Sequence, residues 1–233
     1  MLLKLRILWA MICLARNPTD YRYVEAFRIA LADAGMFKKS VQYIERDPEA
    51  GKILLTRPQF PPDFPNLEYL RSLDEDTLGY QFALFVDNNQ LDAQFFAEVE
   101  TDSKEGYFQR RMLQVHDLHH VVLGQGTDAL GELYLQGFFL AQVLWPPAPF
   151  FMGGYLVRQM FRDLSQVPAV MSIIAEGWRL GKAAKPLFAV AWEMQWERPL
   201  NEVRESLGLK EPSAGSKARP MDFADSASAL RNQ

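Results

Sequence analysis

Hydrophobic residues recur at three- and four-residue steps along most of the chain, which is the spacing of one face of an α-helix. Residues 21–34 show this pattern first, and Gly35 ends it. Residues 57–65 contain four prolines and are expected to form an extended loop. No stretch alternates apolar and polar residues over several positions, so no sheet is predicted. The pattern therefore predicts an all-α protein.

Glycine, proline and capping residues set the bounds of the other helices. A long helix over residues 104–123 is expected to break at the glycine turn of residues 124–126, after which Thr127 caps the next helix. That helix should continue to Trp145 and stop at Pro146. The remaining helices are expected at residues 67–73, 78–86, 154–164, 168–182, 186–197 and 200–207.

The chain shows no internal repeat and no internal linker, so residues 1–210 are predicted to form a single multi-helix domain. Residues 211–233 are small and polar, which is typical of a flexible C-terminal tail. The apolar run near the start, residues 7–15, is too short to cross a bilayer and lacks a clear secretory cleavage site. We therefore expect a first helix there, and a cytoplasmic protein that touches a membrane face without spanning it.

Composition narrows the function classes. A net charge of -4, with no dense stripe of lysine and arginine, argues against a dedicated nucleic-acid binder. The single cysteine excludes an internal disulfide framework and a thiolate zinc cluster. A metal site in this chain would therefore need nitrogen and oxygen ligands.

All three histidines of the chain, His116, His119 and His120, fall within five consecutive positions, with Asp117 among them. On a helix, His116 and His120 lie on one face and Asp117 adjoins His120, whereas His119 points to one side. The glycine turn folds this helix into a hairpin with the next one. Because Glu132 follows the turn by about as many residues as His120 precedes it, the two side chains should meet between helices roughly 8–10 Å apart.

His116, Asp117, His120 and Glu132 together form a nitrogen and oxygen ligand set for a divalent metal. Zinc fits this set best, and iron or manganese also fits. A catalytic centre would keep one coordination position open, whereas a scaffold would use the metal to hold the hairpin together. The order His-Asp-Leu-His-His also follows the frame of the zincin motif with Asp in place of Glu, so a zincin-like metal hydrolase is an alternative.

The pattern His-Asp-x-x-His, eleven residues, then Glu resembles the signature of the coenzyme Q (ubiquinone) biosynthesis protein 4 family. Two positions depart from the family pattern: Leu113 replaces an arginine, and His119 replaces an aromatic residue between the motif histidines. Neither departure removes a proposed metal ligand. Further segments that resemble the family are residues 73–80 with Phe85, Arg111 with Val115, Gly131 with Glu132, Trp178 with Gly181, and residues 192–197.

The resemblance implies a mostly helical protein that associates peripherally with membranes, holds a metal at this motif and serves ubiquinone biosynthesis. Two roles are implied. One is to organise the biosynthetic enzymes and bound polyprenyl intermediates; the other is metal-dependent oxidative decarboxylation of a polyprenyl benzoate. The implied partners are an isoprenoid lipid or polyprenyl quinone precursor, a membrane surface, other quinone-biosynthesis proteins and a second copy of the chain.

The residues after Glu132 fit a lipid-handling protein, because a long apolar run follows the metal motif on the same predicted helix. Phe138 and Phe139 are expected to line a groove for an isoprenoid chain. Arg158 and Arg162 are expected to face an anionic headgroup or a phosphate on the ligand. The sequence identifies no catalytic side chain beyond the proposed metal ligands.

Overall fold

The computed structural model describes residues 5–9, 12, 21–92 and 101–209. These residues form no β-strand, and the all-α prediction is confirmed. The predicted tail, residues 211–233, lies outside the described residues. The α-helices are α1 (Tyr21–Asp33), α2 (Phe37–Ile44), α3 (Pro48–Thr56), α4 (Leu67–Arg71), α5 (Leu78–Asn89), α6 (Lys104–Gln114), α7 (His116–Leu123), α8 (Ala129–Val143), α9 (Ala148–Arg162), α10 (Val167–Ala183) and α11 (Leu200–Ser206). Short 3₁₀ turns lie at Leu164–Gln166, Leu187–Ala189 and Trp192–Met194.

Five of the described α-helices begin at a residue whose side chain accepts hydrogen bonds from the first free backbone N–H groups. Asp47, Thr77 and Ser103 do this for α3, α5 and α6. The cap of α8 is Asp128, which accepts from the N–H groups of Leu130 and Gly131, and the prediction of Thr127 was wrong by one residue.

The predicted helix over residues 104–123 is two helices, because Val115 leaves helical geometry at φ -106° and ψ 6°. The prolines after α8 also act differently from the prediction. Pro147 precedes the first residue of α9, where a missing N–H costs nothing, so α9 begins at Ala148 and not near residue 154.

Residues 186–197 were predicted to be helical but form two 3₁₀ turns joined by extended backbone. Arg111 explains part of this, since its buried guanidinium donates to the carbonyl oxygens of Phe188 at 3.0 Å and Val190 at 2.7 Å. Those carbonyl oxygens therefore accept hydrogen bonds from a side chain of α6 and not from the backbone N–H groups of a local helix.

α8 lies at the centre of the molecule and makes its most extensive contact with α10. Glycines allow the two backbones to approach closely: a Cβ on Gly177 would lie 2.1 Å from the carbonyl oxygen of Tyr134, and one on Gly137 would lie 2.4 Å from that of Ile174. The buried aromatic side chains around this pair, such as Phe108, Phe138 and Trp192, complete the core.

Residues 5–9 are helical, as expected for the N-terminal segment. Arg6 pairs with Asp33 at 2.9 Å, and the ring of Trp9 contacts Tyr23, so this segment lies against α1. Among the helices that the structure describes, none is both long and apolar enough to cross a membrane.

Candidate metal centre

The short helix α7 brings the donor groups of His116, Asp117 and His120 together. One ligand atom from each of these residues lies within 4.8 Å of the other two. The carbonyl oxygens of Val121 and Val122, near the end of α7, accept hydrogen bonds from Arg204 of α11 at 2.8 and 2.9 Å. The bond to Val122 satisfies a carbonyl that the helix end leaves free, the bond to Val121 adds to one from the N–H of Gly124, and together they hold α7 in place.

Glu132 reaches this group from α8, across the hairpin. Its Oε1 lies 3.1 Å from Nε2 of His120, and its Oε2 lies 3.7 Å from Nε2 of His116. The hairpin is tight, because a Cβ on Gly131 would lie 2.1 Å from the carbonyl oxygen of Gly126. The expectation that Glu132 meets His120 across the turn is confirmed. Metal binding by these residues stays a prediction.

Asp117 contacts the other side of the His116 ring, with its Oδ1 3.2 Å from Nδ1. A histidine that binds a metal through one nitrogen usually hydrogen-bonds a carboxylate or carbonyl through the other. This arrangement fits an Asp117 that orients His116, while Nε2 of His116, Nε2 of His120 and Glu132 face a common point. Asp117 is also close enough to the histidines to act as a ligand itself.

The charges within the group are strongly coupled. Burial disfavours the charged form of His116, but the charges and hydrogen bonds of Glu132 and Asp117 together outweigh burial and raise the pKa of His116 to about 10. Burial would raise the pKa of Glu132, but the charges and hydrogen bonds of the two histidines hold that pKa below its ordinary value. A cation that binds here must therefore displace a proton from His116.

The group is buried on one side and open on the other. The His120 side chain is 1% exposed, whereas that of Glu132 is 39% exposed, and His116 and Asp117 lie between these values. Two imidazoles and two carboxylates are a donor set that zinc, manganese or ferrous iron accepts. One feature departs from common metal sites: Nδ1 of His120 is buried without a hydrogen-bond partner in the described part of the chain.

Aromatic rings surround the histidines. Phe85 stacks on His120 with ring centroids 5.6 Å apart, and Phe139 of α8 contacts both His116 and His119. His119 lies away from the candidate ligand residues, between Phe139 and Trp192. Burial, together with the nearby histidine and arginine charges, lowers the pKa of His119 to about 3, so this ring is neutral.

The residues expected to bind lipid occupy two different environments. Phe138 and Phe139 are buried in the core, so they do not line an open groove in this conformation. Phe139 nevertheless borders the histidines. Arg158 and Arg162 lie one turn apart on α9, and burial together with the charge of Arg162 lowers the pKa of Arg158. Lipid binding by these four residues stays a prediction.

A family model, described as coenzyme Q (ubiquinone) biosynthesis protein Coq4, matches residues 6–213. The chain belongs to this family. Among its relatives, the mitochondrial ubiquinone biosynthesis protein COQ4 of Coccidioides immitis (strain RS) is 32% identical over 170 residues, which cover 71% of this chain and 58% of that protein. The mitochondrial COQ4 homologue of Danio rerio is 30% identical over 172 residues, covering 72% of this chain and 62% of the relative. The chain thus spans about three fifths of the length of these curated relatives.

A crystal structure from Nostoc punctiforme PCC 73102 has the same fold, with a TM-score of 0.76 and 29% identity. The match covers 87% of this chain and 96% of that one. That protein is provisionally assigned to ubiquinone biosynthesis. Membership of the Coq4 family therefore rests on both the sequence and the fold.

Several segments that resemble the family have a visible structural role. Gly79 and Leu78 donate backbone N–H groups to the carbonyl oxygens of Trp196 and Arg198 at 2.9 and 2.8 Å, which joins residues 73–80 to residues 192–197. Gly181 allows α10 to approach Phe138 of α8.

One polar residue near the site, Gln136, was missed by the sequence analysis, although its position four residues after Glu132 on the same helix could have indicated it.

Proposed function

We propose that the protein acts in ubiquinone biosynthesis by holding a divalent cation between α7 and α8 and binding a polyprenylated ring intermediate beside it. His116, His120 and Glu132 hold the cation, and Asp117 is either a fourth ligand or the support of His116. The observation that carries the proposal is the contact of a single carboxylate, Glu132, with both imidazoles from the opposite helix. Zinc is the preferred metal, and iron or manganese is the alternative.

The open side of the group supports a role beyond holding the hairpin together. Structural zinc sites are closed by four protein ligands, whereas catalytic sites leave one position accessible. The partly exposed Glu132 and Asp117 give a ligand access to this side. A bound divalent cation would supply a Lewis acid for the carboxylate or phenolate of a ring substrate. The neighbouring rings of Phe85 and Phe139 provide apolar surface beside it.

Native mass spectrometry combined with elemental analysis of freshly purified protein tests this proposal. We expect about one equivalent of a divalent metal per chain, together with an adduct of the mass of an isoprenoid lipid or polyprenyl ring compound. Protein that carries neither metal nor lipid, and that binds neither when they are added, would contradict the proposal.

A catalyst and a scaffold differ in what the metal does. The catalytic form of the proposal predicts that, with dioxygen supplied as the oxidant, a polyprenylated benzoate releases its ring carboxylate as CO₂ and a hydroxyl group takes its place. This release should be lost with unchanged melting when Asp117 is replaced by alanine. The scaffold alternative predicts no release and a lowered melting temperature in the same variant. The zincin-like hydrolase is not proposed, because Asp117, which stands in the place of the zincin glutamate, contacts Nδ1 of His116.

The α9–α10 corner is the surface that we propose to meet a membrane. Its exposed apolar side chains are Val157, Met160, Phe161, Leu164 and Met171. Val157, Met160 and Phe161 follow the helical i, i+3, i+4 spacing on α9 and therefore share one face, and Leu164 follows just after the helix ends. Phe161 is 86% exposed, and such clusters on soluble surfaces mark interaction sites. Arg158 and Arg162 on the same helix match the anionic headgroups that would surround an inserted apolar face.

Replacing Met160 and Phe161 by serine should reduce binding to phosphatidylglycerol–phosphatidylcholine vesicles by at least about tenfold, because burial of one large apolar side chain contributes roughly 1.5–3 kcal/mol. Co-sedimentation with the vesicles measures this. Met194→Ser is the matched control, since Met194 is also highly exposed but lies outside the corner. Equal binding by both variants would contradict the assignment. A second outcome would also contradict it: the wild-type protein is a dimer, and the double substitution, but not Met194→Ser, converts it to a monomer. The corner would then be a contact between two copies of the chain.

A further inference from the structure

Gln136 of α8 is a buried polar side chain without an evident structural use. It is 6% exposed, and its Oε1 has no hydrogen-bond partner among the described residues. Buried amide oxygens are almost always paired in folded proteins, because an unpaired one loses its hydrogen bonds to water and gains nothing. The position of Gln136 therefore requires an explanation outside the protein's own packing.

The neighbours of Gln136 place it at the metal centre. It follows Glu132 by four residues and precedes Phe139 by three, so the three side chains form one stripe along α8. His116 of α7 contacts both ends of this stripe, with Nε2 3.7 Å from Glu132 and its ring centroid 5.9 Å from that of Phe139. Gln136 thus lies opposite His116, one helical turn deeper than the exposed carboxylate.

We propose that Gln136 is a specificity-determining residue of this site, which hydrogen-bonds a hydroxyl group on the ring of the bound ligand. This inference rests on the proposed function and adds a contact to it. The carboxylate or phenolate end of the ring reaches the cation at the open side, and a second oxygen on the ring lies within reach of the amide. A hydroxyl group suits this position, because it can donate a hydrogen bond to Oε1 and can also accept one.

A second glutamine on the same helix shows what a structural role looks like. Gln142 donates through Nε2 to the carbonyl oxygens of Gly181 at 2.6 Å and Ala184 at 3.3 Å. Its Oε1 accepts from the N–H of Leu187 at 3.0 Å. Gln142 therefore joins α8 to the chain after α10. Gln136 makes no comparable contact within the described residues, and the pair provides a matched comparison.

The test uses the full chain, zinc alone, and two ring probes. One probe is a benzoate that carries a geranyl chain and a ring hydroxyl, and the other is the same compound without the hydroxyl. Wild-type protein is expected to bind the hydroxyl probe roughly tenfold more tightly, which is the usual range for one net hydrogen bond. Gln136→Leu should remove this preference, leave zinc affinity unchanged, and leave the melting temperature unchanged or higher. Gln142→Leu should lower the melting temperature and keep the preference.

The other outcomes overturn the inference in distinguishable ways. If Gln136→Leu weakens zinc binding, the amide belongs to the metal ligands. If Gln136→Leu melts at a lower temperature and still prefers the hydroxyl probe, the amide has a structural role. If wild-type protein binds both probes equally, Gln136 does not recognise the ring hydroxyl group, and the proposed function stands without this contact. If it binds zinc but neither probe, the proposed ring ligand fails together with this inference.

Discussion

Glu132→Ala is expected to abolish tight zinc binding. Glu132 provides the oxygen atoms that face both His116 and His120, and no other side chain of α8 contacts the two histidines in this way within the described residues. Its loss should therefore cost more than the roughly 10–100-fold in affinity that the loss of an outer-shell partner costs. Competition titration of zinc against a chromophoric chelator at neutral pH measures the effect.

Asp117→Asn separates the two roles open to Asp117. If the carboxylate orients His116 from Nδ1, the amide retains a hydrogen-bond acceptor and zinc affinity falls by only about 10–100-fold. If Asp117 is a ligand, the loss should approach that of Glu132→Ala. Glu202→Ala is the control, because Glu202 is an exposed acidic residue on α11. If Glu132→Ala binds zinc as tightly as this control does, the imidazoles and carboxylates do not bind the metal jointly.

Gly177→Ala is expected to cause the largest loss of stability of any single methyl addition in the α8–α10 contact. The added carbon would lie 2.1 Å from the carbonyl oxygen of Tyr134 and 3.0 Å from its carbon. Both obstructing atoms belong to the backbone, so the helices must separate. We expect a loss of about 3 kcal/mol or more in the free energy of unfolding, measured by urea denaturation followed by circular dichroism.

Gly153→Ala is the matched control for this substitution. Gly153 lies within α9, and an added Cβ would meet nothing within 4 Å. Alanine favours a helix interior over glycine by roughly 0.5–1 kcal/mol, so this variant should be slightly more stable than the wild type. Similar stabilities of the two variants would show that the backbones of α8 and α10 are not in close contact.

The helical class and the meeting of the candidate ligand residues could be predicted from the sequence. Both depend on local spacing: His116 and His120 are one turn apart, and a glycine turn brings Glu132 back to the same height. The family resemblance also singled out the segments around Gly79 and Trp196. A backbone hydrogen bond between these two residues joins distant parts of the chain. Spacing alone gives no indication of such a contact.

The features that were missed depend on tertiary contacts. Residues 186–197 have helical spacing, but Arg111 of α6 donates hydrogen bonds to the carbonyl groups of Phe188 and Val190. Helices α2 and α3 were not assigned, and their amphipathic faces are short, at 8 and 9 residues. Gln136 resembles any other polar residue in the sequence. Its spacing from Glu132 was a weak signal, and burial and the absence of a partner among the described residues distinguish it from the other polar residues.

The two hydrogen bonds from Arg204 to the end of α7 have a consequence for the order of synthesis. The ligand-bearing hairpin is translated by residue 143, but its first helix is completed by a side chain made about sixty residues later. A nascent chain that has exposed only the hairpin leaves the carbonyl group of Val122 open to water, whereas that of Val121 still accepts from the N–H of Gly124 at 3.1 Å. The proposed cation site should therefore be complete only once Arg204 is available to fold against α7, and a chain truncated ahead of residue 204 should retain metal poorly.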